Sequence, residues 1–157
     1  MELRGFQEML SQRLLRWGQL NVALGMALWL SGRPFWRGFG SQAVGWGAVN
    51  AGIALWGRRS NRKKEKDLQA NTPAALAKEA AGLRRLLGIN AALDVLYIVG
   101  GLRVVHSGGE KWRGHGWGIV FQGGFLLLFD LAQAWRTPQE ARYSRDSAED
   151  LGMTNLL

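Results

Sequence analysis

Formal charges crowd into a few stretches of this chain and leave long apolar runs between them. Gly38 to Gly57 holds twenty consecutive residues without a charge, the length that a helix rising about 1.5 Å per residue needs to cross a hydrocarbon layer about 30 Å thick. Trp17 to Gly32 adds sixteen uncharged residues between Arg16 and Arg33, enough to span when both arginines extend their heads to the interfaces. Leu86 to Leu102 contains one charge, Asp94, and Gly114 to Trp135 contains one, Asp130. The pattern predicts an all-α fold, a four-helix transmembrane bundle in a single membrane domain covering 1–157. Its spans fall at about 14–32, 38–57, 83–105 and 114–136, with a cytoplasmic linker at 58–82 and a C-terminal tail at 137–157.

Local signals refine these elements. Leu3, Phe6, Met9 and Leu10 are spaced for one apolar side of a short interfacial helix over 1–13, or of a frayed helical start. Asn61 to Asn71 reads as a polar linker, and Thr72-Pro73 as a helix start, with a hydroxyl N-cap before a proline at the first helical position. From Ala74 no breaker intervenes before the third span, so that helix projects beyond the apolar layer. Arg136-Thr137-Pro138 ends the last helix, and 139–157 has the mixed charge of a tail of low order. Asn21 to Gly25 resembles Asn90 to Asp94, and Trp36 to Gly40 resembles Trp112 to Gly116. These matches suggest two tandem helical hairpins in parallel repeat, with Gly25 in the place of Asp94 and leaving space beside its carboxylate.

Composition separates the membrane reading from a soluble helical bundle rich in Gly and Trp. Trp17, Trp56 and Trp135 fall at one set of span ends, and Trp36, Trp112 and Trp117 at the other, as amphipathic rings do at headgroup level. Of the twenty Lys and Arg, fifteen lie in the N-terminus, residues 58–85 and the C-terminus, and five in the two hairpin loops. The richer side is expected to be cytoplasmic, with both termini there. Arg58, Arg59, Arg62, Lys63, Lys64 and Lys66 lie directly against a span without interleaved aromatics, which points to anionic lipid and away from nucleic acid. The chain has no cysteine, hence neither a disulfide framework nor a thiolate site. Met1 to Arg16 is too polar for a cleaved leader, so the first apolar run is expected to remain as helix one.

The candidate chemistry lies inside the spans. Asn90, Asp94, Tyr97 and Gly101 stand at i, i+4, i+7 and i+11, one polar face of the third helix. The fourth helix offers Gly123, Asp130 and Gln133 on a comparable face, with Gln122 at its edge; the second offers Asn50, and the first Asn21. By helix rise Asn21, Asn90 and Asp130 all lie roughly 6–9 Å deep, with Asn50 and Asp94 deeper, so one cluster is expected. Amides at such contacts also serve simply to join helices, at about 0.6–2 kcal/mol each. An ionisable group in a span is expensive and a neutral amide would join helices equally well, so Asp94 and Asp130 call for a ligand-binding role. His106, His115 and Glu110 form too loose a pattern to predict a metal site. No serine-nucleophile, phosphate-loop or zincin motif is present, so no catalytic residue is assigned and an enzyme ranks third among function classes.

The string Asn90-Ala91-Ala92-Leu93-Asp94-Val95-Leu96-Tyr97-Ile98-Val99-Gly100-Gly101, and Gly116-Trp117-Gly118 leading to Gln122-Gly123-Gly124-Phe125-Leu126-Leu127-Leu128-Phe129-Asp130, resemble the two signature stretches of an uncharacterised family of small bacterial four-helix integral membrane proteins. Trp46-Gly47-Ala48-Val49-Asn50 resembles a third, where the family has Trp-Asn-x-Val-Asn, so Gly47 departs from the pattern. The resemblance places Asn50, Asn90, Asp94, Tyr97, Gln122 and Asp130 within family motifs and implies no known activity or cofactor. The expectation is a membrane subunit or small-ligand-binding protein whose intramembrane polar pocket is formed by Asp94, Asp130, Asn90, Asn50, Asn21, Tyr97 and Gln122. A proton- or cation-coupled carrier is the alternative. Four short helices with small-residue faces further suggest a homodimer or another membrane subunit as partner.

Overall fold

The computed structural model describes residues 3–106 and 108–138. These form four long helices without a strand among them: α1 Leu3–Leu30, α2 Pro34–Glu65, α3 Pro73–His106 and α4 Glu110–Arg136. A single 3-10 turn, Gln69–Asn71, links α2 to α3. The expected low-order tail at 139–157 lies outside the described residues. Gly32, at φ 77°, reverses the chain after α1 in a conformation that only glycine adopts without strain, and Pro34 then opens α2. Thr72 caps α3 as its sequence predicts, its Oγ1 accepting the Ala75 amide at 3.4 Å.

Two hairpins result, and the bundle has two unlike ends. The hairpin end carries the turns between α1 and α2 and between α3 and α4. The terminal end carries the start of α1, the connection from α2 to α3 and the end of α4. α1 packs on α2, α3 on α4, and α2 on α4, whereas α2 and α3 stand apart.

Glycine sets how closely the helices approach. A Cβ on Gly25 would lie 2.8 Å from the Gly40 carbonyl and 2.9 Å from Ala43 Cβ, and one on Gly18 would lie 2.7 Å from the Gly47 carbonyl. At the hairpin end α4 enters through Gly114 against Phe35, Gly116 against Gly101 and Val105, and Gly118 against Gln42. Backbones that touch in this way exchange dispersion and weak Cα–H contacts that larger side chains would prevent.

Four readings of the sequence change. Residues 3–13 are not a separate interfacial helix but, as in the alternative reading, the start of helix one: α1 is continuous from Leu3, and Leu3 and Phe6 are each only 1% exposed. The polar segment after Gly57 stays helical to Glu65 before the chain turns. Gly25 leaves no space beside Asp94, because it lies in the tight contact between α1 and α2. Trp17 also turns inward, stacked on Phe125 with ring centroids 3.5 Å apart, while Trp135 is 91% exposed at the end of α4 and Trp56 74% exposed nine residues before the end of α2.

α3 and α4 are long and apolar enough to cross a membrane. Only 17% and 28% of their most apolar segments are buried, so they are not the covered core helices of a bundle. Large apolar side chains face outward on α1 and α2 as well, among them Leu20, Leu24, Leu30, Ile53 and Leu55.

Candidate functional site

The departure of α2 from α3 opens a groove of about 600 Å³ in the half of the molecule toward the terminal end. Its walls are apolar, with Leu14 from α1, Ile53 from α2, Leu83, Leu86 and Leu93 from α3, and Phe129 from α4. Its polar side chains fall into two groups: Asn50, Asn90, Asp94, Tyr97 and Asp130 in its depth, and Gln7, Ser11, Ser60, Asn61, Lys64 and Glu79 toward its terminal end. The i, i+4 spacing of Asn90 and Asp94 puts both on one face of α3. Gly123 lets α3 approach α4 there, since a Cβ at that position would already meet Ile98 at 3.1 Å and the Asp94 carbonyl at 3.3 Å. Asp130 then has the Asn90 amide as its hydrogen-bonding neighbour and lies within the electrostatic influence of Asp94.

These groups are buried but incompletely satisfied. Asp94 is 5% exposed, Asn50 3% and Asp130 7%. Asp94 Oδ2 and Asn50 Nδ2 have no hydrogen-bond partner, a state that costs roughly 1–3 kcal/mol for a neutral group and more for a charged one. Two acceptor-rich carboxylates flanked by two amides suit a cation or a strong hydrogen-bond donor.

Of the seven residues expected in one pocket, five line this groove and two do not. Asn21 and Gln122 form a separate pair, with Gln122 Nε2 donating to Asn21 Oδ1 and Asn21 Nδ2 donating to the Trp17 carbonyl at 2.9 Å. Gln122 lies eight residues, about 12 Å, from Asp130 along α4 toward the hairpin end, and neither it nor Asn21 reaches the groove. They join α1 to α4. His106 and His115 also part company: His106 Nδ1 lies 2.7 Å from the Leu102 carbonyl, and His115 Nδ1 lies 3.0 Å from Gln42 Nε2 on α2. Among the described residues no group of three His, Cys, Asp or Glu is placed to hold a metal ion.

A second cluster, which reading the sequence did not assign, closes the terminal end. Glu79 on α3 receives Arg4 Nη1 at 3.0 Å, Lys64 Nζ at 2.7 Å and Gln7 Nε2 at 3.1 Å, so one carboxylate gathers side chains from α1 and α2. Arg4 continues to Asn71 Oδ1 and the Ala70 carbonyl, and buried Asn61 donates to the Arg4 carbonyl at 3.2 Å. Burial pushes Glu79 upward, but the hydrogen bonds from Lys64 and Gln7 and the charges of Arg4 and Lys64 outweigh it and hold the carboxyl below its ordinary value. Arg58 with Glu8 at 2.9 Å adds a second tie between α1 and α2. An apolar Leu3 and Phe6 flanking charged Arg4 and Glu8 was the available signal: a helix start that is both amphipathic and charged needs partners on both faces.

The protein is thus an all-α, four-helix molecule with two helices able to span a membrane and a carboxylate-floored groove between its hairpins. Residues 13–131 match a family of unknown function, DUF6992, and the chain belongs to it. No curated protein and no solved structure is significantly similar to it.

Proposed function

We propose that this is a polytopic protein of the bacterial inner membrane, with termini in the cytoplasm, that binds a small ligand through Asp94 and Asp130 without acting as an enzyme. The observation that carries the reading is the groove itself: two buried carboxylates and two amides at the floor of an apolar cleft, with Asp94 Oδ2 and Asn50 Nδ2 unpartnered. Carboxylates are retained in apolar surroundings where a positive or hydrogen-bonding group meets them. The outward apolar faces of all four helices support insertion, and the weight of Lys and Arg at the terminal end supports its orientation. Arg58, Arg59, Arg62, Lys63 and Lys66 line a separate basic hollow of about 610 Å³ on α2, beside Lys64, a place for anionic lipid. The unpaired helix faces leave room for a second copy or another membrane subunit.

Reporter fusions after residue 68 and after residue 157 should read as cytoplasmic, and one after residue 109 as periplasmic. A periplasmic reading at 68 would overturn the orientation. Native mass spectrometry of the full chain in mild detergent should show a small-molecule adduct that Asp94→Asn loses while remaining folded. An adduct retained unchanged in both Asp94→Asn and Asp130→Asn places the ligand elsewhere.

A further inference from the structure

Two cross-links frame a slot between α2 and α3. Toward the hairpin end, Trp46 meets Tyr97 edge to face with ring centroids 5.0 Å apart and planes at 88°. At the terminal end, Lys64 Nζ pairs with Glu79 Oε1 at 2.7 Å. Trp46 and Lys64 are eighteen residues apart on α2, and so are Glu79 and Tyr97 on α3. At a rise of about 1.5 Å per residue the frame is therefore about 27 Å long on both sides. Equal spacing holds the two helices alongside each other without bringing their backbones into contact. The lips of the slot are apolar and only half covered: Ile53 is 53%, Leu86 54% and Leu93 47% exposed. The floor is polar and covered, with Asn50 and Asp94 each nine-tenths or more buried and aimed into it without a complete set of partners.

The groove is thus closed at its ends and open at its side. Arg4, Gln7, Lys64 and Glu79 bar the terminal end, and Trp46 on Tyr97 bars the other. We infer that the ligand is a single-chain cationic amphiphile, an alkylammonium that enters sideways from the lipid between α2 and α3. Its ammonium sits on Asp94 and Asp130, and its chain lies along the slot. This rests on the membrane-inserted binding protein proposed above and adds the ligand class and its route. Charge complementarity selects the head, because two carboxylates in one groove repel an anion and attract a cation. The apolar lips select the chain. Moving that chain from lipid into the slot exchanges one apolar environment for another, so the discrimination among lipid-borne ligands falls to the head group.

The test uses the full chain in phosphatidylcholine nanodiscs and radiolabelled dodecylamine, with butylamine and dodecanoic acid as competitors. Dodecylamine should bind saturably. Asp94→Asn should weaken it by about tenfold or more, the loss expected when one partner of a buried charge pair is removed. Dodecanoic acid should not compete, and butylamine should fail at aqueous concentrations where dodecylamine saturates. Ile53→Trp combined with Leu86→Trp should slow association while Asp94 is intact, with circular dichroism confirming that the variant is folded. If butylamine competes as well as dodecylamine and the tryptophan pair changes nothing, access is from water and the lateral route falls while the carboxylate site stands. If dodecanoic acid competes equally, the cationic class falls. If no amine binds, or Asp94→Asn and Asp130→Asn bind as the wild type does, the carboxylate site falls and the inference falls with it.

Discussion

The two halves of this molecule are built from the same helices and solve opposite problems. Toward the hairpin end glycines meet backbones, as in Gly25 on Gly40, Gly116 on Gly101 and Gly114 on Phe35, and the helices pinch together. Toward the terminal end the glycines of α3, Gly82 and Gly88, have nothing within 4 Å, leucines take the place of close contacts, and the helices diverge around the groove. What holds the divergent half is ionic and amide chemistry at its rim, centred on Glu79. The difference teaches that glycine fixes a bundle only where it meets a facing backbone, and that a cleft survives where it does not.

The sharpest way to break this contrast is a side chain in the pinched half. Gly25→Val places its Cβ within 2.8 Å of the Gly40 carbonyl and the Val44 amide. It should destabilise the fold by about 3 kcal/mol, since backbone cannot yield as a flexible side chain does. Gly100→Ala, with nothing within 4 Å of the new methyl, should be neutral or stabilising by up to about 1 kcal/mol. Denaturant titration in detergent compares the pair, and equal losses would remove the distinction between close-packed and open glycines.

A smaller effect is expected at the rim. Glu79→Ala strands Arg4, whose side chain is 12% exposed, and should cost about 2 kcal/mol. The same contact carries a pH signature. The carboxyl of Glu79 titrates below its ordinary value of 4.5 in the folded protein, so the clasp contributes fully above that value. Its contribution is lost as pH falls below 4.5 through the folded value. Proteolysis near residues 65–72 should accelerate on acidification in the wild type and be fast already at neutral pH in Glu79→Ala. Unchanged cleavage in both would show that the rim does not depend on this carboxylate.

The mildest perturbation separates the two polar clusters. Gln122→Leu removes the hydrogen bond to Asn21 outside the groove and should cost about 1 kcal/mol. Ligand binding at Asp94 should stay as it was, and a binding loss as large as that of Asp94→Asn would merge the clusters again.

The helices were legible because a charge-free run of the right length has few other uses, and Thr72-Pro73 announced the start of α3 through local chemistry alone. Asp94, Asp130, Asn50, Asn90 and Tyr97 were found together because face and depth follow from position in a helix. Asn21 and Gln122 were assigned to the wrong neighbours for the complementary reason. Depth is set by helix rise, but rotation about the helix axis is set by which glycines seat against which backbone, and that is a tertiary fact. The α1 signal showed that Arg4 needs a partner but not which one, since Arg4 and Lys64 reach Glu79 from helices that only packing brings near.

Arg4 precedes its partner Glu79 by 75 residues, and Lys64 precedes it by fifteen. During synthesis the first hairpin can therefore close on its own glycines, Gly18 on Gly47 and Gly25 on Gly40, long before the rim has its central acid. Until α3 emerges, Arg58 with Glu8 is the ion pair that ties α1 to α2 at the terminal end, and Arg4 and Lys64 await the carboxylate they share. The rim is thus joined in the order of translation: α1 meets α2 first, Glu79 then ties both to α3, and α4 supplies the last wall of the groove.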